Sequence, residues 1–528
     1  MSTELSFDPR DPWFELPRTA VRFAVQVFTT QNAYVVDPDS VRADGLTLEA
    51  SRLARPGRQR TAPGGVSVRL SAEPERWRWR IEATQPEGVK AVKLRLRGLP
   101  DDGWWTATTS RTSPDARGPF QWTYPGLDWA TPWACAGAYT LAARDPLVRG
   151  KRLHVSHPPY ADGPIVELVH HERADRRGPR CVVPELVLTA CPSRRAVEVD
   201  FEEHLAFLET SYGLRRFEER ADVPDWLDGI RLVLTVHGQH WTGHVFNTFA
   251  QMEDVLRFVA GEVDGRQVLV YLPGWEGRYY HAYPLYRPGA ELGGADGLRS
   301  LVATAHALGM RVMPMFGAHG ANAANYPAWE QAAIRNDTNR YLALVNSPDW
   351  DGDRAGEGDQ IFLNPGERGF GDHLVRSISD VVAAFDVDAV FLDTAGCWFD
   401  DPRHDLVDGL RRLTERVHAA HPELLVAAEG WFDALLGVFP LAQQWLGVDR
   451  DLRLPELLTR YARTSGHLAE PAPGAGSTGV HEAGFLPRAP ERALAGHIPA
   501  VSVVDDTLQL RAAELAARCR AAEALCAS

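Results

Sequence analysis

The chain has 528 residues and a formal net charge of −14. That length exceeds what one core of ordinary size holds, so two or three domains are expected. The acidic balance excludes the basic face that a nucleic-acid or anionic-membrane partner requires.

The remaining composition, 45% hydrophobic and 24% charged, is that of a chain folded nearly throughout. The first residues, MSTELSFDPRDPWFELP, carry neither a basic cluster nor an apolar core of a leader. No run approaches the ~18–20 apolar residues of a membrane span, so a soluble, cytoplasmic protein is expected. Six cysteines form no CxxC pair, which suits a reducing compartment without structural zinc. Of these, Cys397 follows Asp393 by four residues and reads as a small packed side chain rather than a nucleophile.

Residues 1–225 are rich in Pro, Gly, Trp and Arg, and their apolar residues alternate, as in Val66–Ala83, Val89–Leu99 and Cys181–Phe201. Period-2 runs between turn residues predict an antiparallel β-sandwich, as one or two subdomains. Trp77 and Trp79 read as core aromatics of that sandwich rather than a sugar-stacking platform. A helical stretch, FEEHLAFLETSYG, then leads to a change of rhythm.

From residue 226 to 528 apolar strands alternate with amphipathic helices. IRLVLTVHG, QVLVYLPG and RVMPMFG are strands, and the helices between them place Met252, Val255, Leu256 and Val259, then Leu298, Leu301, Val302 and Ala305, on one face. A loop-rich insertion near 317–361 precedes a helix with Leu374, Ile378, Val381 and Phe385. Two further strands end at Asp393 and Glu429. LAQQWLGV and IPAVSVV are later strand candidates, and the C-terminal segment is an amphipathic helix. The fold class is therefore α/β, a (β/α)8 TIM-type barrel preceded by the sandwich. Unusual residues collect just past successive strands, at His237, Trp275, His319, Asp393 and Glu429, as a ring of barrel loops requires. No GxGxxG or GxxxxGK[ST] follows any strand, which disfavours a nucleotide-binding open sheet.

Two carboxylates at neighbouring strand ends divide labour when their surroundings separate their pKa values. Glycoside hydrolysis needs that pair, because an oxocarbenium-like centre takes an anion on one face and a proton on the leaving oxygen. Asp393, before the small-residue turn Thr394-Ala395-Gly396, is the candidate nucleophile, and Glu429, beside Gly430 and Trp431, the candidate acid/base. Helix capping is the alternative role for either acid alone. Trp275, Arg278, Tyr280, His237, His240, His319, Trp398, Trp431 and Asp505 are candidate substrate-binding residues, since sugar rings stack on aromatic faces and present hydroxyls to polar side chains. No HExxH or comparable spacing occurs, so neither a metal nor another cofactor is expected.

At VFLDTAG and LLVAAEGW the chain resembles the retaining glycoside hydrolases of the α-amylase superfamily and their relatives, the endo-α-N-acetylgalactosaminidases. The resemblance covers about residues 228–505. It implies a nucleophile ending the fourth barrel strand, Asp393, and an acid/base ending the fifth, Glu429. The insertion after strand three is similar to the inserted subdomain of amylases. An amylase has Arg two positions before the nucleophile, and Phe391 stands there. A third acid is open between His481-Glu482 and Asp505-Asp506. The resulting expectation is a retaining glycosidase acting on an α-linked carbohydrate by double displacement. Carboxyl oxygens about 5–5.5 Å apart fit retention, and about 6.5–9.5 Å fits inversion. A transglycosylase using the same pair and a non-catalytic carbohydrate-binding barrel are the alternatives. Oligomeric state is left open by the sequence.

Overall fold

A computed structural model describes residues 5–8, 11–106, 119–126, 132–240, 243–278, 280–336, 339–340, 343–344, 360–443, 459–467 and 496–526. The chain divides into two compact units, Met1–Leu214 with Phe432–Ala434, and Arg215–Trp431 with Leu435–Ser528.

The first unit holds two antiparallel sheets of ten and nine strands. In the strand Arg76–Thr84 the residues alternate between buried Trp77, Trp79 and Ile81 and outward Arg76, Arg78 and Arg80. Burying every second residue is what a sheet with one wet face requires. Trp79 meets Phe23 of the facing sheet edge-on, with ring centroids 5.9 Å apart, and Trp77 gives its N–H to the Pro17 carbonyl at 3.0 Å. Both tryptophans are therefore core residues. One stretch departs from the expected alternation: Cys181–Phe201 contains two strands and then the start of a helix, Arg194–Tyr212, capped by Ser193. The cap explains the difference, because the Ser193 side chain accepts from the Ala196 N–H and starts the helix inside the AVEVD run.

Within this unit lies a buried ion network. Arg149 places two guanidinium nitrogens on Asp145, each at 2.9 Å, and a third on Glu172 at 3.2 Å. Lys151 reaches Asp145 at 2.7 Å. Burial works to raise the Asp145 pKa, but the Lys151 charge and the Arg149 hydrogen bonds outweigh it and hold the group well below the usual carboxylate range. Glu172 is held at about 2 in the same way, against its burial, by His170 and Arg149. Burial lowers His170 to about 4. His170, Glu172 and Cys181 bring possible ligand atoms within 4.8 Å of one another. Burial and the Glu172 charge push the Cys181 thiol up to about 12, however, and Glu172 already serves Arg149. The trio therefore reads as part of the ion network.

The second unit is a closed barrel of eight parallel strands. They are β1 (Leu232–Val236), β2 (Val268–Leu272), β3 (Arg311–Gly317), β4 (Ala389–Asp393), β5 (Leu425–Glu429), β6 (Leu441–Gln443), β7 (Arg463–His467) and β8 (His497–Val503). Every residue of β1, β2, β4 and β8 is buried, as expected of strands covered on both faces. The ring closes where β8 pairs with β1 through Val233 and Ala500. Around it run α1 (Phe249–Ala260), α2 (Gly294–Ala307), α3 (Arg368–Phe385), α4 (Leu406–Ala420) and α5 (Thr507–Cys526). The apolar positions read from the sequence in α1 to α3 are buried there. Thr248 and Gln251 cap α1 reciprocally, Glu367 caps α3 and Asp405 caps α4. β7 has no counterpart among the strands expected from sequence, because RTSGH lacks an apolar run. In the insertion after β3, Gly320–Asn322, Ala343–Leu344 and Gln360–Phe362 form a small antiparallel sheet. Among the described residues no helix is long and apolar enough to cross a membrane.

The sandwich network gives a stability prediction. The unfolded chain binds protons at Asp145, Glu172 and His170 at higher pH than the folded one, so stability must fall as pH drops from about 6.5 toward 2. Asp145→Asn leaves two buried cations underpaired and is expected to cost ~3–5 kcal/mol at pH 7. It should also flatten the acid limb, as read by urea unfolding at a series of pH values.

Candidate active site

The candidate chemistry collects at the C-terminal ends of the barrel strands. Pairing of Leu392 with Ala428 places the ends of β4 and β5 side by side, so Asp393 and Glu429 extend from adjacent strands at one mouth. Asp393 is buried, with 5% of its surface exposed. Burial first, then the neighbouring Glu429 by charge and hydrogen bond, and then Glu276, raise its pKa well above the carboxylate range, while a Tyr280 hydrogen bond works the other way. The two strand-end carboxyl groups therefore bear on each other's ionisation, and burial beside Glu429 favours the neutral form of Asp393.

The turn after β4 fixes Glu429. Thr394 adopts φ of 62°, a left-handed conformation that a β-branched residue rarely takes. In that conformation its N–H donates to Glu429 Oε2 at 2.7 Å, and its hydroxyl donates to the Asp393 carbonyl at 2.7 Å. Two residues on, the Gly396 N–H donates to the Glu429 carbonyl at 2.7 Å. A Cβ on Gly396 would lie 2.6 Å from the Gly430 carbonyl carbon, so only glycine permits that approach.

A third carboxyl, Glu276, was not singled out from sequence. It stands four residues past the end of β2 with 6% exposure, and neither carboxyl oxygen has a hydrogen-bond partner among the described residues. Burial raises it to about 8. The rule that drew attention to Asp393 and Glu429, an acid just beyond a barrel strand, applies equally to β2. Glu276 was hidden there inside the aromatic stretch LPGWEGRYY.

His319, after β3, is completely buried and its pKa is lowered to about 4 by burial. Its Nδ1 lies 3.2 Å from the Leu363 carbonyl, so the neutral ring carries its proton there and leaves Nε2 as a bare acceptor. Among the described residues that Nε2, Asp393 Oδ2, the Tyr283 hydroxyl and the Trp431 indole N–H are all buried without a partner. Orphaned buried polar atoms are uncommon, and several converging on one barrel mouth mark the place of a polar ligand.

The other candidates sit as follows. Tyr280, at φ 68°, faces Tyr283 edge-on with centroids 5.8 Å apart. Trp275 is fully buried and gives its N–H to the Met315 carbonyl at 2.8 Å, so it packs behind the mouth. His237 and His240 are buried against the edge of Phe246. Arg278 is half-buried, and its Nε is 3.6 Å from where a Gly243 Cβ would be. Trp398 is half-buried on the loop after β4. Asp505, after β8, lies in the open and pairs with His244 at 2.6 Å. His481 and Glu482 lie outside the described residues. Phe391 packs on Tyr271 inside the barrel, with centroids 4.5 Å apart. The Cys397 thiol is pushed up to about 11 by desolvation and the charges of Glu429 and Asp393, which keeps it protonated.

Residues 283–410 match the family model for glycosyl hydrolase-like 10 proteins, a segment that includes Tyr283, His319 and Asp393 and stops short of Glu429. Together with the barrel architecture this places the fold among barrels of the glycosidase type. The ligand-free α-N-acetylgalactosaminidase NagBb of Bifidobacterium bifidum superposes with a TM-score of 0.70 at 14% identity, over 99% of this chain and 92% of that one. The same enzyme in complex with GalNAc gives 0.66 at 15% identity, over 100% and 92%. The galactosidase domain of the α-galactosidase–sucrose kinase AgaSK gives 0.51 at 14% identity, over 100% and 74%. No curated protein matches the chain in sequence.

Because Glu276 is held protonated in the fold, its raised pKa makes the folded state lose stability as pH rises from about 4.5 to 8, the range over which the unfolded chain has already released that proton. Glu276→Gln should remove this loss. Relative to wild type, the variant is expected to gain stability from pH 5 to pH 8 at about 1.4 kcal/mol per pKa unit of the shift. Denaturant melts of both proteins across that range provide the check, and parallel pH profiles would show Glu276 ionised in the fold.

Proposed function

We propose that this chain is a retaining glycosidase that cleaves an α-linked, galacto-configured sugar, with or without a 2-acetamido group, through a glycosyl-Asp393 intermediate. The observation that carries the reading is the placement of Asp393 and Glu429 at the ends of adjacent barrel strands, beside buried polar atoms that lack partners among the described residues. Neighbouring strands lie about 4.8 Å apart, so paired strand ends suit the short carboxyl separation of retaining enzymes better than the wider gap that admits a water for inversion. The sugar type rests on the acceptors and donors lining the mouth, and on the shared fold with an α-N-acetylgalactosaminidase and an α-galactosidase domain.

The geometry suggests how the proton is distributed when substrate enters. Glu429 Oε2 is occupied by the Thr394 N–H, so its other oxygen carries the proton toward the leaving group. Tyr280 donates to Asp393 and favours its anion. With the pair's proton on Glu429, the Asp393 carboxylate attacks the anomeric carbon as the glycosidic C–O bond breaks. The Glu429 proton goes to the departing oxygen. In the second half, the Glu429 carboxylate takes a proton from water, the water oxygen attacks the same carbon, and Asp393 leaves as a carboxylate.

Aryl α-N-acetylgalactosaminide and α-galactoside turnover tests the assignment. Glu429→Gln should lower kcat on the order of 10²–10⁴-fold. Asp393→Asn should abolish turnover while leaving the melting transition in place. NMR of the first-formed product should show the α-anomer, and azide should restore turnover to Glu429→Ala as an α-glycosyl azide, because it takes the place of water on the glycosyl-Asp393 intermediate. Wild-type turnover in both Asp393→Asn and Glu429→Gln, or a first-formed β-anomer, would refute the mechanism.

A further inference from the structure

We propose that the outer face of the N-terminal sandwich holds a second binding site, a guanidinium-lined cleft for the oxyanion group of an acidic saccharide. The cleft has a volume of about 530 Å³ and is lined by Arg69, Leu70, Ser71, Arg78, Arg80, Arg144 and Glu185. It thus sets four guanidinium charges around one carboxylate, in a chain whose net charge is −14. All of these residues belong to one sheet of the first unit.

The local pairing is unusual for a sheet surface. Arg80 and Arg69 are direct cross-strand partners, and like charges in that position repel. Elsewhere on the same unit, outward cations close tightly on acids: Lys93 and Arg95 reach Glu167 at 2.8 and 2.9 Å. In the cleft, Glu185 stands 3.8 Å from Arg78, 4.0 Å from Arg80 and 4.0 Å from Arg144, the far limit of an ion pair. Glu185 closes on none of the three, and of them Arg78 pairs with Glu73 and Arg144 with Glu203, which leaves Arg80 with Glu185 at 4.0 Å. The Arg144 Nε is buried and has no hydrogen-bond partner among the described residues. Arg78 and Arg144 are about four-fifths covered and held in place by Glu73 and Glu203, whereas the Arg80 side chain is 80% exposed and free to swing onto a ligand. An oxyanion between Arg80, Arg69 and Arg144 would relieve the repulsion and accept the forked donors in the geometry guanidinium groups favour.

The cleft volume is far larger than a lone inorganic ion needs and falls in the range of small-ligand sites. That the oxyanion is carried by a sugar rests on the glycosidase reading. That an oxyanion binds does not. The group itself is a sulfate or a carboxylate, which the probes separate.

The test is calorimetric titration of the full chain with N-acetylgalactosamine 6-sulfate, galacturonic acid, sodium sulfate and neutral N-acetylgalactosamine, the last two as controls. Asp393→Asn serves as the background, to silence turnover. At least one acidic sugar should bind ten-fold or more tighter than neutral N-acetylgalactosamine, and that binding should weaken with added salt. Arg80→Ser, at an exposed position that leaves the core untouched, should weaken it at least ten-fold. Glu185→Gln should tighten it several-fold by removing the competing carboxylate. Arg80→Ser should leave aryl glycoside turnover in the otherwise wild-type chain unchanged. The proposal is overturned if the acidic sugars bind no better than the neutral one, or if Arg80→Ser binds them as before. Sodium sulfate binding as tightly as both acidic sugars would overturn the saccharide. Loss of the glycosidase reading alone would show as absent turnover with acidic-sugar binding intact.

Discussion

Everything proposed for the barrel mouth depends on one constraint: two carboxyl groups are held side by side, Asp393 buried and Glu429 half-buried. The parallel register of β4 and β5 delivers them, since each strand spends its apolar residues inside the wall and ends on an acid. The turn after β4 then removes the freedom that remains. Thr394 takes a strained left-handed conformation so that its N–H can meet Glu429, and Gly396 lets the two loop backbones approach within contact. Two acids this close, one of them buried, oppose each other's ionisation, and Asp393 is pushed toward its neutral form. Unequal surroundings of that kind are what separates the roles of two neighbouring carboxyl groups.

Packing and hydrogen bonds also fix the loops after β2 and β3. Tyr283 lies so close to Gly317 that a Cβ there would come within 2.5 Å of its ring, and Tyr286 both accepts from the Gly317 N–H and donates to the Gly317 carbonyl. The end of β3 is thereby fixed against the aromatic loop after β2. His319, two residues further, is held by the Leu363 carbonyl through Nδ1, and its buried Nε2 has no partner among the described residues. These groups are rigid because their own hydrogen bonds are satisfied from behind, while the atoms that face the mouth are not. A ligand that supplies hydroxyl groups on several sides would complete them.

Much of this was legible because barrel strands buried on both faces are long apolar runs, and the helices between them repeat at 3.6. The chemistry-bearing ends of β4 and β5 could therefore be read directly. Three features escaped for physical reasons. β7, RTSGH, is polar and only five residues long, so pairing with β6 and β8 makes it a strand and its own sequence does not. The helix beginning at Arg194 starts in a run that alternates like a strand, and the Ser193 cap decides against the pattern. Glu276 was masked by its aromatic neighbours. Conversely, Trp275 was legible as a notable residue, but only the structure shows that its indole N–H is already committed to the Met315 carbonyl.

Glu276 alters how the pair must be understood. Held protonated near neutral pH by burial alone, it adds no negative charge to the mouth, and it presents one donor and one acceptor, the same combination as a sugar hydroxyl. Ionising it would add a negative charge beside Asp393 and raise the Asp393 pKa further. The proton would then be held more firmly on Asp393, at the group that must be an anion to attack. An alkaline limit on turnover therefore follows from Glu276 as much as from loss of the acid proton at Glu429. In the proposed mechanism, the burial that keeps Glu276 neutral also keeps Asp393 available as a nucleophile.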